Sequence, residues 1–275
     1  MRFFKLYGAF VKQFFKSLME YRLDFVLGLI GLSIVQLATF FTLFAVFTQI
    51  KEIAGYTFHE VLLFFGYAQI VRGIDHIYND NIWFVAVNYI REGRFYQFLI
   101  RPMNPLAHIV MEKICADGFG ELALGMAIFL YAKAALGLSF GIAGWLVLAL
   151  FTLSGLVIYF AIKLAFASIA LWTVTSGEIM TLAYEVNSYT RFPLEIYKNK
   201  FIQFFITFIL PFAVVSYFPM LYYLRDGAQI GAIFGIAGFQ NEWLLVFIPV
   251  IALITLGISL FIWKAGLKRF QATGT

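Results

Sequence analysis

Acid–base side chains are scarce in this sequence, and several of them fall within apolar segments. Asp75, His76 and Asp80 lie close together near the end of one such segment. Carboxylates beside a histidine can transfer protons or hold a metal ion. No second set of ligands lies near them in the sequence, so the cluster by itself predicts neither catalytic residues nor a metal site.

Ionisable groups within the apolar segments are the remaining candidates for chemistry. They are Arg72, Asp75, His76, Asp117, Glu121 and Lys163. Charges buried in lipid are costly and usually face a partner or a water-filled path. Helical spacing favours local pairing of Arg72 with Asp75. It also favours pairing of His76 with Asp80.

A bridge between helices is a further expectation. Asp117 and Glu121 are four residues apart and therefore share one helix face. Lys163 lies at a depth from which its flexible side chain reaches Glu121, so we predict a salt bridge between these two residues. The alternative places the ammonium of Lys163 at the membrane interface and the carboxylate of Glu121 in water.

Motifs for catalysis by this chain alone are missing from the sequence. It contains no GxxxxGK[ST] phosphate loop and no HExxH pair. We therefore predict neither an enzyme nor a cofactor bound by this chain. Two alternatives stay open, a membrane enzyme that acts on lipid through Asp75, His76 and Asp80, and a proton-coupled secondary transporter. The second lacks the inverted repeat that such transporters show.

The elements that must position these residues are membrane helices. Hydrophobic residues make up 62% of the chain and charged residues 13%, against about a quarter charged in soluble proteins. Apolar segments without period-two alternation reach the roughly 20 residues that a helix needs to cross a bilayer, which excludes a barrel. The single cysteine, Cys115, is interpreted as a packing residue.

The predicted fold is all-α, a single polytopic transmembrane domain over residues 1–275 with six transmembrane helices. These helices are expected at residues 25–48, 58–78, 116–135, 141–173, 201–224 and 243–263. Residues 1–22 alternate lysines with an aromatic face, which predicts an amphipathic interfacial helix; packing on the rest of the protein is the alternative. Residues 225–241 predict a short outer re-entrant helical element, with a flexible glycine loop as the alternative.

Lysines and arginines predict the orientation, because they concentrate on the cytoplasmic side of membrane proteins. One side is expected to carry Arg2, Lys5, Lys12, Lys16, Arg22, Arg91, Arg94, Arg101, Lys113, Arg191, Lys198, Lys200, Lys264, Lys268 and Arg269. The other side carries only Lys51, Lys133 and Arg225. Both termini and the segment 88–102 are therefore predicted to be cytoplasmic.

Segment 88–102 has the signals of a rigid elbow. Gly93 is expected to end a short helix, and a second helix over residues 94–100 stops ahead of Pro102. Asn104 then caps a new helix whose first residue is Pro105. An apolar edge of Phe95, Phe98 and Leu99, with Arg91, Arg94 and Arg101 around it, suits docking on a soluble partner. Packing on the membrane surface is the alternative.

The elbow sequence IREGRFYQFLIRPMNPL resembles the cytoplasmic loop of ABC-transporter permeases of the type-2 exporter class. The matching positions are Ile90, Arg91, Gly93, Leu99, Arg101, Pro102, Asn104, Pro105 and Leu106. A second similar segment carries Arg191, Phe192, Pro193, Ile196, Tyr197, Pro211, Tyr217 and Pro219. The chain departs from the pattern at Phe95, Tyr96 and Gln97, where an acidic residue is missing.

The resemblance implies a permease subunit of an exporter in a prokaryotic cytoplasmic (inner) membrane. It implies pairing with a second permease, identical or related, through the first and fifth spans, and docking of two ATPase subunits that hold ATP and Mg²⁺. The implied docking residues are Ile90, Arg91, Gly93, Arg94, Phe95, Phe98, Leu99 and Arg101. Membrane lipid is the other partner, and nucleic acid is not expected. The sequence does not identify the substrate.

Overall fold

The computed structural model describes residues 8, 11–14, 16, 18–20 and 22–270 of the protein. Helices account for 79% of it, which confirms the predicted all-α class. The predicted interfacial helix over residues 1–22 lies mostly outside the described residues, although the described part of it is helical.

The main elements are a set of helices of very different lengths and one small hairpin. In chain order they are α1 (Arg22–Gln49), β1 (Glu52–Ile53), β2 (Tyr56–Thr57), α2 (Phe58–Asn79), α3 (Asn81–Phe84), α4 (Tyr96–Leu99), α5 (Pro105–Glu112), α6 (Gly118–Ala135), α7 (Ile142–Thr173), α8 (Gly177–Tyr189), α9 (Lys200–Phe204), α10 (Phe212–Leu224), α11 (Gly227–Phe234) and α12 (Trp243–Arg269). Single π-helical turns follow α3 at Val85–Tyr89 and α9 at Phe205–Ile209.

Four helices of the described residues are long and apolar enough to cross a membrane, α1, α6, α7 and α12. A fifth crossing is present if the bent pair Lys200–Ile209 and Phe212–Leu224 counts as one span. Helix α2, the second predicted span, is not among them because polar and charged side chains interrupt it. Its residues from Val61 to Val71 are buried by other helices, so α2 is the central helix of the bundle. The six-span count stays a prediction.

Helices α2 and α6 pack closely along a seam of glycines. Gly66 and Gly73 on α2 face α6, and Gly118 and Gly125 on α6 face α2. A Cβ atom at Gly73 would lie 2.6 Å from the backbone nitrogen of Leu122, so no larger residue fits there. Small residues at this spacing let two helix backbones approach closely, as in other membrane proteins.

The two ends of the bundle differ in structure. At the end that we call the hairpin end, strands β1 and β2 join α1 to α2 through a turn in which Ala54 and Gly55 have φ values of 51° and 81°. Arg225 follows α10 there and donates to Glu60 at 2.6 Å. The opposite end, the elbow end, carries α3, α4 and α5. Helix α7 packs against α12 between the two ends.

The predicted span 201–224 is broken, which corrects the expectation of one kinked helix. The axes before and after Leu210 differ by 99°. Pro211 stands at the break, where its missing N–H and fixed φ prevent the helix from continuing. Asn199 caps the first piece by accepting a hydrogen bond from the backbone N–H of Phe201 at 2.9 Å. Pro219 lies inside α10.

The start of the segment 190–199 is buried in the bundle, and Glu195 within it contacts the hairpin. Glu195 accepts hydrogen bonds from the hydroxyls of Tyr56 at 2.8 Å and Tyr217 at 2.7 Å. The reason is that α8 carries the chain back into the bundle before this segment begins. Arg191 is buried, with its guanidinium 6.0 Å from the ring centroid of Phe65, so it does not lie on a surface beside the elbow. The sides predicted for Lys198 and Lys200 stay predictions.

Residues 225–241 contain the short helix α11, in agreement with the predicted helical element. Asp226 and Gln229 form a capping box at its start, and Gly235 ends it with a φ of +70°. Glycines on one face of α11 let the following segment pack closely against the helix. A Cβ atom at Gly227 would collide with the carbonyl oxygen of Phe239. A flexible glycine loop is thus not what the chain forms here.

Candidate functional site

A buried ion cluster lies at the elbow-end half of the central helix. The ammonium of Lys163 on α7 lies 2.7 Å from a carboxylate oxygen of Asp75 and 2.7 Å from one of Asp80. The side chains of Lys163 and Asp75 are each only 2% exposed. Two short contacts to carboxylates compensate the cost of burying a lysine, and they fix α7 to the end of α2.

The predicted bridge between Lys163 and Glu121 is wrong. Glu121 instead places one carboxylate oxygen 3.6 Å from Nε of Arg72 and the other 3.5 Å from Nδ1 of His76. The reason is helix order: α6 and α7 approach α2 from different sides. Both therefore find their partners on α2, and neither reaches the other's charged residue.

The local pairs on α2 follow prediction only in part. Nε2 of His76 lies 3.4 Å from Oδ2 of Asp80, as the spacing of four residues predicted. The expected pair of Arg72 with Asp75 is replaced by pairing of Arg72 with Glu121 across the glycine seam. Sequence spacing alone missed this, because the close approach of α6 offers the arginine a better-placed carboxylate.

A cavity of about 300 Å³ opens beside the cluster, between α2, α7 and α8. Arg72, Asp75, His76, Asp80 and Lys163 line one wall of it, so both signs of charge face the space. The opposite wall carries Thr181, Tyr184, Glu185 and Ser188. The hydroxyl of Tyr184 is buried and has no hydrogen-bond partner in the described structure. The cavity therefore has polar groups that can form hydrogen bonds with a polar group of a bound molecule.

Asp117 does not join this cluster. Its carboxylate packs on α1, where a Cβ atom at Gly28 would lie 2.5 Å from Oδ1. Among the described residues, no group of three or more His, Cys, Asp and Glu side chains could hold a metal ion. Of the six ionisable candidates from the sequence, the structure thus brings together all except Asp117.

The elbow forms as a bend of short helical pieces. Gly93 has a φ of +70°, a left-handed conformation that glycine adopts without strain. Oδ1 of Asn104 accepts from the backbone N–H groups of Leu106 at 2.9 Å and Ala107 at 3.3 Å, and Pro105 is the first residue of α5. The predicted cap at Asn104 is thus confirmed. The helix expected to end at Gly93 is instead a π-helical turn that ends at Tyr89, and the helix predicted at residues 94–100 is shorter, at Tyr96–Leu99.

Aromatic side chains anchor the elbow inside the protein, which corrects the predicted apolar docking edge. The ring of Phe95 lies 6.0 Å from that of Trp263 and 5.1 Å from that of Phe270, at the end of α12. The ring of Phe98 packs 4.9 Å from that of His108. Phe95 and Phe98 are fully buried, and Ile90 is 2% exposed, so these three side chains face the protein interior.

The surface of the elbow, which we call the rim, is charged and partly apolar. Its exposed residues are Arg91, Glu92, Arg94, Tyr96, Leu99, Ile100 and Arg101. Nη1 of Arg101 lies 2.6 Å from Nε2 of His108. Burial and the charge of Arg101 lower the pKa of His108, so the imidazole is neutral and accepts this hydrogen bond. The rim is thus a fixed surface and not a loose loop.

Hydrogen bonds connect the elbow to the ion cluster. Nδ2 of Asn81 donates to the carbonyl oxygen of Ile109 on α5 at 2.5 Å, and the hydroxyl of Tyr89 donates to Oδ1 of Asn81 at 2.8 Å. Asn81 directly follows Asp80, which holds Lys163. The backbone N–H of Ser176 donates to the carbonyl oxygen of Ala86 at 2.9 Å, which also links the elbow to the start of α8.

The part of the chain that matches a known protein family includes both the elbow and the buried ion cluster. Residues 33–274 match the model of a family described as ABC-2 family transporter protein. The chain belongs to this ABC-2 transporter family. The predicted resemblance to such permeases is thereby confirmed. No curated protein and no solved structure was found to match the chain.

Several residues of the site in this ABC-2 protein were not identified from the sequence. Asp80 was considered as a partner of His76 and as a reacting group of a lipid enzyme, but not as a partner of Lys163. Asn81 is fully buried between the elbow and α2, and Tyr184 faces the ion cluster from α8. A polar Asp80–Asn81 pair at the end of an apolar segment was the available signal, because such residues stay buried only when hydrogen-bonded.

Proposed function

We propose that this chain is the transmembrane permease subunit of an ATP-binding cassette exporter. It acts as a dimer with an identical or related permease in a prokaryotic cytoplasmic (inner) membrane, with both termini in the cytoplasm. Two separate ATPase subunits bind ATP and Mg²⁺ and dock on the rim of the elbow. Membership of the ABC-2 family supports transport, and the elbow geometry supports the site of docking.

The observation that carries the proposal is the coupling of an exposed rim to a buried ion cluster. Arg91, Arg94 and Leu99 are exposed at the rim, while Phe95 fixes the same segment to α12 and Phe98 fixes it to α5. A push on the rim therefore moves a rigid body. Through Asn81 this movement reaches the end of α2 and the salt bridges to Lys163.

The proposed transport step is a rearrangement around the 300 Å³ cavity. When the ATPase subunits close, the elbow tilts and shifts α2 against α7 and α8, which changes the shape of the cavity. Such rigid-body movements are the usual route by which a distant site is switched. The charged wall then binds a polar group of the cargo in one state and releases it in the other.

A membrane enzyme acting on lipid is less well supported. Its reacting groups would be Asp75, His76 and Asp80, yet both carboxylates accept hydrogen bonds from Lys163. Each carboxylate would therefore have to leave its ammonium before it could act on a substrate, and a buried ion pair is costly to break. A proton-coupled transporter would use the same groups, and the family match favours a component of an ATP-driven system.

The test is charge reversal at the rim. The variant Arg91→Glu with Arg94→Glu should lose co-purification with the ATPase subunit and ATP-dependent transport in proteoliposomes. Lys264→Glu with Lys268→Glu, which reverses two exposed charges near the end of α12, is the matched control and should retain both. Wild-type protein alone should hydrolyse no ATP.

Two outcomes would contradict the proposal. The first is that the rim variant and the α12 variant, both monodisperse, co-purify with the ATPase subunit equally well and transport at the same rate. The second is ATP-independent transport by the purified chain in vesicles that contain no ATPase subunit.

A further inference from the structure

A second cavity, of about 570 Å³, lies beside the broken fifth segment toward the hairpin end. Helices α9, α10, α11 and the start of α12 line it, and it is open on one side. It exists because the chain turns by 99° at Leu210, so that α9 leaves the line of α10. Its wall is mainly aromatic, with Phe204, Phe208, Phe218, Phe234, Trp243 and Phe247.

The aromatic wall is fixed by ring contacts. The ring of Phe218 stacks on that of Phe234 at 5.4 Å and lies 5.5 Å from that of Phe247. Phe208 packs against Phe247 from the other side, at 6.2 Å. Rings held on several sides cannot collapse into the space. The cavity therefore keeps a shape that an apolar chain can fill, with dispersion contacts to these rings.

Polar groups are few in this wall, and most are already engaged. The hydroxyl of Thr207 donates to the carbonyl oxygen of Gln203 at 2.6 Å. The amide of Gln203 donates to the carbonyl oxygens of Leu194 at 3.2 Å and Tyr197 at 2.7 Å. The ammonium of Lys200 has three donors and makes one contact, 3.3 Å long, with Oε1 of Gln203.

The charge of the residues that line this cavity indicates what kind of molecule it can bind. Lys200 is the one charged residue among the described residues that line the cavity, and no carboxylate faces it there. We propose that this cavity binds an anionic amphiphile, with its hydrocarbon chain among the aromatic rings and its carboxylate or phosphate group on Lys200. The proposal concerns binding alone, and it requires neither ATP nor a partner subunit.

The experiment uses the full chain in nanodiscs of phosphatidylcholine and a palmitate that carries a photoreactive diazirine on its chain. Photolabelled peptides should map to residues 200–208 and 233–247. Unlabelled palmitate should compete about ten times better than hexadecanol, which has the same chain and no charge. Labelling spread evenly over the lipid-facing helices, or equal competition by the two compounds, would overturn the proposal.

Variants of the chain test the two halves of the site. Lys200→Gln should reduce labelling about three- to tenfold, and Lys200→Arg should retain it. Lys198→Gln, an exposed lysine two residues away that does not line the cavity, is the matched control and should label as wild type. Ile233→Trp should fill the cavity and abolish labelling. Size-exclusion profiles verify folding, and equal labelling of the Lys198→Gln and Lys200→Gln proteins would contradict the assigned head-group site.

Discussion

At the residue scale, Lys163 determines how the buried charges are arranged. Asp75 accepts from Lys163 and also from Nδ2 of Asn79, at 3.0 Å, so its carboxylate is well satisfied. Removing one partner of such a group leaves the other charge buried and uncompensated. The cluster is therefore sensitive to single substitutions and tolerant of matched ones.

The substitution Lys163→Met should lower the free energy of unfolding by about 3 to 5 kcal/mol, because Asp75 and Asp80 lose their cation. Adding Asp75→Asn should restore part of the loss. Adding Glu121→Gln should restore none, since Glu121 pairs with Arg72 and His76. Thermal unfolding followed by size-exclusion fluorescence measures the effect. Equal recovery by both second substitutions would argue against the observed pairing.

The thiol of Cys115 gives a prediction for pH dependence. Burial, with the negative charge of Asp80 in addition, raises the pKa of Cys115 to about 11. Because only the thiolate reacts, alkylation by iodoacetamide at pH 7.5 should be on the order of a hundredfold slower than in the denatured chain, whose thiol has a pKa of about 8.5. The rate should keep rising through pH 10. Intact mass measured over time gives the rate, and a plateau near pH 9 would contradict the raised pKa.

The sequence identified the charged residues of the site but not all of their partners. The pair of His76 with Asp80 was predictable because both lie on one helix, and helical spacing fixes which side chains meet. The partners of Lys163 and Glu121 depend on which helices are neighbours, and spacing within a helix does not contain that information. Tyr184 and the polar cavity were missed for the same reason.

At the element scale, the glycine seam sets the distance between α2 and α6. Gly118 packs on the carbonyl oxygen of Gly73, and Gly125 packs on the backbone of Ile70. The seam places Glu121 within reach of Arg72 and His76, so the cross-helix ion pairs depend on it. Tight backbone contact and charge pairing thus support each other along one interface.

The substitution Gly73→Val should prevent α2 and α6 from packing, because its Cβ atom alone would lie 2.6 Å from a backbone nitrogen. We expect a large loss of monodisperse protein. Gly257→Val on α12 introduces the same side chain where nothing lies within 4 Å, so its yield should stay near wild type. Quantitative gel filtration after detergent extraction compares the two, and similar yields would contradict the seam.

Local signals predicted the elements better than their arrangement. The cap at Asn104 and the turn at Gly93 were predictable because they involve neighbouring residues. The burial of Phe95 was not, since it packs on Trp263 and Phe270 at the far end of the chain. Pro211 was recognised as a kink, but the size of the break, 99°, was not predictable from the proline alone.

At the scale of the whole molecule, the hairpin end is held together by contacts that lie far from the elbow. Arg225 joins the end of α10 to the start of α2 through Glu60, and its guanidinium lies 4.5 Å from the ring centroid of Tyr56 in the hairpin. Glu195 ties the same tyrosine to Tyr217. Under the proposed mechanism, a movement of α2 that begins at the elbow would have to break these contacts before the hairpin end could open.

Cross-linking tests the central claim, that a separate ATPase subunit drives this chain through its elbow. In a Cys115→Ser background, Tyr96→Cys at the rim should cross-link through a short bis-maleimide to the ATPase subunit that co-purifies with the chain. Lys51→Cys at the hairpin end should form no such product. Cross-linking from Lys51→Cys in place of Tyr96→Cys would contradict the account.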